Sequence, residues 1–134
     1  MENKLDRIKL AEEALRIPGK IRDLEIEMLE KSDQVLFVKD QVKRIELEVA
    51  DAVQNEKSES GNAVFSNDVS RKAEVSRRLN RDGKYVEVWE KVGVLEFELR
   101  RAKIESDALA NRLSSLRMVT ILLRNHVEGA DKGV

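Results

Sequence analysis

The chain has 134 residues, of which 38% are charged and only 4% are aromatic. So many charges with so few aromatic side chains exclude a wide globular core and favour long helices with narrow apolar faces. The formal net charge of −1 argues against a molecule built as a whole to bind polyanions. Because the sequence contains no cysteine, a disulfide framework and a thiolate site are excluded as well.

A first apolar stripe recurs at intervals of three and four over residues 20–54. It consists of Ile21, Leu24, Met28, Val35, Val38, Val42, Ile45, Val49 and Ala52. Lys31 is the one position that breaks this stripe. A spacing of this kind lines one side of a long helix, and that side needs a second helix to bury it.

The first stripe shares its heptad phase with residues 3–17, which predict an amphipathic helix of their own. Pro18-Gly19 lies between the two stretches, and a proline removes a hydrogen-bond donor and disfavours helix at the residue before it. We therefore expect a first arm over residues 3–54 with a break at residues 18–19. This break is either a kink or a stop and restart within one rod.

Residues 55–68 lose the apolar period and gather turn-forming residues, so they predict the loop after the first arm. Ser66 or Asn67 can cap the helix that follows, because short polar side chains accept hydrogen bonds from the first free N–H groups of a helix. Asp68 is favourable in the first turn of that helix.

A second arm is predicted over residues 69–127. Its apolar stripe consists of Tyr85, Val88, Val92, Leu95, Leu99, Ala102, Leu109, Leu113, Leu116, Leu123 and Val127, with Ser106 and Thr120 in the gaps. Residues 69–80 are out of phase with this stripe, and the change of phase falls at residues 82–83. Asp82-Gly83 is a weak point there, since an interior glycine costs about 1 kcal/mol against alanine. Residues 129–134 have no pattern and are expected to form a frayed tail.

Two apolar stripes joined by one loop predict an all-α fold, a long antiparallel helical hairpin of the coiled-coil type, as a single domain over residues 1–134. Residues 1–57 hold 11 basic and 14 acidic side chains, whereas residues 69–128 hold 13 and 9. An acidic arm and a basic arm favour antiparallel docking. A parallel oligomer of straight rods would leave the central loop unexplained.

Further apolar residues lie off the two stripes and indicate a second contact for each arm. They are Leu29, Leu36, Phe37 and Leu47 on the first arm and Trp89, Val94, Phe97 and Ile104 on the second. The densest apolar patch lies near the C-terminus, and its candidate self-association residues are Leu116, Val119, Leu122 and Leu123. A second copy would supply this contact in a homodimer with four-helix-bundle character. Residues 3–17 of the same chain are the alternative cover, and both can hold.

The sequence offers no constellation for catalysis or for a metal. His126 is the only histidine, and its place near a helix end fits a favourable charge interaction with that end better than catalysis. The acidic residues follow solvated helix faces, and the glycines stand alone instead of forming a phosphate-binding loop. We therefore predict a protein that is not an enzyme and that uses no cofactor and no metal.

The one local charge bias is the basic segment, residues 71–84, which has a net charge of +4. Its cations are Arg71, Lys72, Arg77, Arg78, Arg81 and Lys84. Aromatic residues lie close by in sequence, and cations beside aromatic rings are typical of nucleic-acid contacts. The interpretation that we favour is ion pairing with the acidic first arm, whose candidate partners are Glu46, Glu48, Asp51 and Glu56.

No apolar run approaches the roughly 20 residues that a membrane span needs. The apolar patch near the C-terminus has too few cations beside it for an interfacial anchor. The first six residues alternate in charge and lack the apolar core of a signal peptide. We expect a cytoplasmic protein without membrane contact.

Residues 61–85 combine an aromatic-Ser-Asn turn, an Arg-Lys-Ala-Glu sequence, an Arg-Leu-x-x-Asp sequence and a tyrosine, before a long charged helix. In these features, over about half its length, the chain resembles uncharacterised small coiled-coil hairpin proteins of phages and prophages. The resemblance implies an accessory protein of a mobile element near DNA, since some such proteins sit beside recombination or single-strand annealing genes. It supplies no functional residue, and Gly83 departs from the more acidic versions of the motif.

The sequence therefore predicts a non-enzymatic coiled-coil interaction or assembly module. The alternative is a nucleic-acid-binding accessory protein that uses the basic segment. Prefoldin-type chaperone subunits share the hairpin outline, but residues 55–68 lack the strand hairpins that those subunits carry between their helices.

Overall fold

The computed structural model describes residues 4–132, except for the side chains of residue 5 and residues 127–132. The chain is all-α over these residues, as predicted, with helices α1 (Lys4–Asn55), α2 (Asp68–Arg81) and α3 (Gly83–Lys132). Its packing divides into two compact units. Unit 1 combines Met1–Glu30 with Leu99–Val134, and unit 2 is Lys31–Glu98.

The core of unit 2 forms where the two apolar stripes meet. Its buried cluster consists of Val38, Val42, Val88 and Val92, and Ile45, Tyr85 and Leu95 pack against it. Contacts between polar side chains show that α1 and α3 run antiparallel here, because residues that come later in α1 contact residues that come earlier in α3. The three pairs are Lys31–Glu98, Lys39–Glu96 and Glu46–Tyr85.

The end of α1 departs from the predicted register by one residue. Val53 is fully buried, whereas Ala52, which the sequence places in the stripe, is exposed. An α-helix has 3.6 residues per turn, so a stripe that follows a period of 3.5 drifts around the helix and shifts by one position after several turns. Leu79 of α2 is also buried in this unit, as the one buried residue of that helix.

Unit 1 buries residues from both long helices. Ile17 of α1 and Ala102, Ser106 and Leu116 of α3 are almost fully covered. The Arg112 guanidinium donates hydrogen bonds of 2.7 and 3.0 Å to the Glu13 carboxylate, which joins the two helices at the surface of the unit. These hydrogen bonds are the main reason why the pKa of Glu13 is lowered.

Helix α1 continues through Pro18, so of the two alternatives predicted at residues 18–19, a kink or a stop and restart, the structure does not show the stop. Proline lacks the N–H that would bond to the carbonyl of Ala14, but Pro18 is exposed, so water can replace that bond. Ile17 next to it is 2% exposed. The burial of this side chain in unit 1 holds the helix on both sides of the proline.

The loop between α1 and α2 is a compact turn. Residues Lys57 and Ala63 form an isolated antiparallel bridge, and the Gly61 N–H donates to the Ser58 carbonyl over 2.8 Å. Gly61 has φ of +83°, a backbone conformation that glycine adopts without strain. At the start of α2, Asn67 Oδ1 accepts a 2.7 Å hydrogen bond from the Ser70 N–H, which confirms the predicted cap.

Asp82 separates α2 from α3 at the predicted weak point. Its backbone N–H donates to the Leu79 carbonyl, and its Oδ1 accepts hydrogen bonds from the N–H groups of Lys84 (2.9 Å) and Tyr85 (3.3 Å). A single residue therefore ends one helix and caps the next. At the other end of α3, residues 129–132 are helical instead of frayed, and residues 133–134 lie outside the described part.

Candidate interaction surfaces

The basic segment lies on α2 and on the first turn of α3. Two of its cations are held at the start of α2. Lys72 Nζ lies 3.0 Å from Asp68 Oδ2, and Arg71 Nη1 donates a 3.4 Å hydrogen bond to the Phe65 carbonyl. Both cations therefore serve local structure at the junction of the loop and α2.

Glu74 pairs with two of the arginines on α2. Its carboxylate accepts hydrogen bonds from Arg77 Nε (2.8 Å) and from Arg78 Nε (2.9 Å). These hydrogen bonds, first from Arg77 and then from Arg78, lower the pKa of Glu74 to about 2. The contact was missing from the sequence-based interpretation, although residues three and four positions apart meet on a helix and the spacing could have revealed it.

Arg78 connects α2 to Glu56, the first residue after α1. Its guanidinium also pairs with the Glu56 carboxylate, and its central carbon lies 5.9 Å from the centre of the Phe65 ring. Glu56 is the one predicted partner on the first arm that pairs with a cation of the basic segment in the described residues. Glu46 instead accepts a 3.1 Å hydrogen bond from the Tyr85 hydroxyl, and Asp51 accepts one from Asn55.

The remaining cations of the basic segment are Arg81 and Lys84, at the α2–α3 junction. Both are exposed, and neither side chain has a hydrogen-bond or ion-pair partner within residues 4–132. A phosphate group could approach these two cations without displacing a carboxylate. The other four would have to give up an intramolecular partner or share it.

The predicted self-association residues fall on two sides of α3. Leu116 is 3% exposed and belongs to the core of unit 1, and Leu123 is half-buried. Val119 and Leu122 are exposed. Leu116 and Leu123 are seven residues apart, and this spacing already indicates that both belong to the second apolar stripe. Of these four residues, Val119 and Leu122 are therefore the most accessible to another molecule.

The apolar residues off the two stripes are exposed, as their spacing predicts. In unit 2 they are Leu36, Phe37 and Leu47 of α1 and Val86, Trp89, Val94 and Phe97 of α3. In unit 1 they include Leu15, Ile26 and Leu29 of α1 and Ile104, Met118, Val119, Ile121 and Leu122 of α3. We call these sets the outward faces of α1 and α3.

The described residues hold no group of three or more His, Asp or Glu side chains arranged for a metal ion. His126 is exposed on α3. None of the three helices, over its described residues, is long and apolar enough to cross a membrane.

Comparisons with family models, with curated proteins and with solved structures find no match for this chain. The resemblance to phage proteins therefore stays a prediction from the sequence.

Proposed function

We propose that this chain is a non-enzymatic helical interaction module that assembles with protein partners, a second copy of itself included, through its outward faces. One observation carries the proposal, namely the large apolar side chains that stand exposed on the sides of α1 and α3 away from their buried residues. Leu36 and Phe37 are 66% and 65% exposed, and Phe97 is 60% exposed.

The periodicity of these residues supports a helix-to-helix contact. Leu36 and Leu47 are eleven residues apart, a spacing that returns to the same side of an α-helix after three turns. Val35, Val38 and Val42, which face the core of unit 2, belong to a different side of α1. A helix with apolar residues on two sides gains from a second partner, as helices within bundles do.

Burial of apolar side chains in such a contact would contribute more free energy than ion pairs on the same surface would. Each fully buried leucine or phenylalanine side chain contributes roughly 1.5–3 kcal/mol, whereas an exposed ion pair contributes about 0–1 kcal/mol. Contiguous exposed apolar side chains are typical of interaction sites. We also propose that the helices pair as coiled coils and that the protein belongs to a mobile element.

The test compares two variants that alter three exposed positions of α1 each. The first replaces Leu36, Phe37 and Leu47 by glutamate, and the control replaces Gln34, Gln54 and Asn55 in the same way. We expect the native chain and the control to form complexes in sedimentation velocity, alone or in extracts of the host cell, and the apolar variant to lose part or all of them while staying helical by circular dichroism. A native chain that stays monomeric alone and in extract overturns the proposal.

A nucleic-acid-binding accessory protein is the second candidate. The observation in its favour is that Arg81 and Lys84 are exposed without a side-chain partner among the described residues. We rank it second because Arg77 and Arg78 share the Glu74 carboxylate. Reversing the charge of Arg81 and Lys84 should weaken binding to single-stranded DNA and flatten its salt dependence. Native protein that binds no DNA at low salt excludes this candidate.

A further inference from the structure

A third regular stripe runs along the outward face of α1 within unit 2. Its members are spaced alternately by three and four residues, the spacing of a helix-to-helix contact. They are Asp33, Leu36, Asp40, Lys43, Leu47 and Ala50. The first five are exposed and Ala50 is half-buried, and all six lie in unit 2 on one continuous stretch of helix. We call this set the 33–50 stripe.

Two leucines give the 33–50 stripe its apolar surface. Leu36 is 66% exposed and Leu47 is 69% exposed, and Phe37, next to the stripe, is 65% exposed. Large apolar side chains that stand exposed along one side of a helix are typical of a contact with another helix. A partner that fits this surface must bring apolar residues at the same spacing.

Helix α2 leaves this side of α1 open. A hollow between the two helices is lined by Lys43, Glu46, Leu47, Ala50, Val75 and Leu79. Three of these residues, Lys43, Leu47 and Ala50, belong to the 33–50 stripe as well. A helix that docks along the stripe therefore also covers one side of this hollow.

Two opposite charges occupy the middle of the stripe, between the leucines. Asp40 pairs with Arg44 of the same helix over 3.0 Å. Lys43 is exposed and has no hydrogen-bond or ion-pair partner within the described residues. A carboxylate can accept from two cations at once, as Glu74 does on α2. Because the charges have opposite signs, the stripe is complementary to itself when a second copy runs in the reverse direction.

We propose that a second copy of this chain docks antiparallel on the 33–50 stripe, with Leu36 of each copy against Leu47 of the other. The inference rests on the proposed function, because it names the partner of one outward face. In this register Asp40 of one copy faces Lys43 of the other. The contact is isologous and closes into a twofold dimer, since every pairing occurs twice.

The same register adds a contact beside the stripe. Phe37 and Arg44 lie seven residues apart on one flank of α1, and an antiparallel copy brings Phe37 of one chain towards Arg44 of the other. Both side chains are exposed. A guanidinium is attracted to the face of an aromatic ring, so this contact favours the same alignment as the central charges.

The opposite alignment is disfavoured by the charges. In a parallel pair Asp40 would face Asp40 and Lys43 would face Lys43, so the middle of the contact would bring like charges together. The leucines would still meet, Leu36 with Leu36 and Leu47 with Leu47. Charge complementarity therefore selects the orientation, as it does in coiled coils.

Charge reversal tests the register. The native chain should reach twice its 15.3 kDa mass in sedimentation equilibrium. Asp40→Lys alone and Lys43→Asp alone should each weaken the dimer about tenfold, because two pairs per dimer change from attraction to repulsion. The double variant Asp40→Lys, Lys43→Asp should recover it, and a double variant as weak as the single ones would overturn the register. Glu48→Lys, an exposed position of α1 outside the stripe, is the control and should leave the dimer unchanged.

Cysteine cross-linking tests the alignment directly, since the chain has no cysteine of its own. A mixture of Leu36→Cys and Leu47→Cys chains should form the mixed disulfide between positions 36 and 47. Disulfides that link 36 to 36 or 47 to 47 as the main products would overturn the antiparallel register.

The outcomes separate this inference from the proposed function. If the native chain forms complexes that neither charge reversal weakens, or forms them only with other proteins in host extract, this inference fails and the interaction module stands. If the native chain forms no complex with itself or in host extract, both proposals fail.

Discussion

Lys31 Nζ lies 2.6 Å from Glu98 Oε2 in unit 2, and both side chains are partly buried. Lys31 occupies the one charged position of the first apolar stripe, so its ammonium group meets a carboxylate of α3 where an apolar residue would otherwise pack. A partly buried charge without a partner is costly, and the pair therefore favours the register in which these two residues face each other.

A double-mutant cycle on this pair should reveal a direct coupling. Lys31→Met and Glu98→Gln keep the size of each side chain and remove its charge. We expect a coupling of about 0.5–1 kcal/mol in the free energy of unfolding, measured with urea. The exposed pair Arg44–Asp40 on α1 is the control, with an expected coupling of at most about 0.5 kcal/mol. Equal coupling in both pairs would show that partial burial adds nothing.

The core of unit 2 should respond to the loss of the two methyl groups of one valine much more than the surface does. Val92 is 2% exposed in the buried cluster, and Val94 on the same helix is 57% exposed. We expect Val92→Ala to lower the free energy of unfolding by about 2 kcal/mol through lost burial and a cavity. Val94→Ala should change it by less than about 0.5 kcal/mol. Similar losses in urea unfolding would mean that Val92 is not in a packed core.

Acid should weaken α2 through Glu74. Because the pKa of this carboxyl falls from 4.5 to about 2 in the folded chain, its stabilising effect is complete above about pH 4.5 and is lost as the pH falls towards 2. The native chain should therefore be more stable than Glu74→Gln at neutral pH. This difference should vanish near pH 2. Urea unfolding at both pH values measures it, and a difference that does not depend on pH would rule out the ionised carboxylate as its source.

The stability of the α2–α3 junction should depend on the side-chain oxygen of Asp82. Asp82→Ala removes the acceptor for the N–H groups of Lys84 and Tyr85, and we expect a loss of about 1 kcal/mol in the free energy of unfolding. Asp82→Asn keeps an acceptor oxygen and should lower the free energy of unfolding by only a few tenths of about 1 kcal/mol. If both variants lose the same amount, the charge of Asp82 matters more than the cap.

Much of the fold could be predicted from local pattern. Apolar spacing identifies the long helices and places the loop, since a side chain's position on a helix follows from its number alone. The same spacing separates residues such as Val92, in the core, from Phe97, on the outside. The cap of α2 was predicted at Ser66 or Asn67, because few residue types can accept from the first N–H groups of a helix, and the structure selects Asn67.

Other features depend on tertiary contacts that one sequence does not reveal. The helix continues through Pro18 because the neighbouring Ile17 is buried, and burial overrides the local preference of proline. The partner of Lys31 lies 67 positions away in sequence at Glu98, too far for periodicity to find. For the interaction surfaces, the sequence identified the exposed apolar residues. It placed Leu116 both in the second apolar stripe and among the self-association candidates, and the structure buries this residue in the core of unit 1.

The most direct test of the account is sedimentation equilibrium of the native chain beside Leu36→Glu, a change at an exposed residue that leaves the buried cluster intact. We expect twice the 15.3 kDa monomer mass for the native chain and the monomer mass for the variant, with equal helical content by circular dichroism. A variant that dimerises equally well, or a native chain that stays at 15.3 kDa at millimolar concentration and joins no complex in host extract, would contradict assembly through the outward faces.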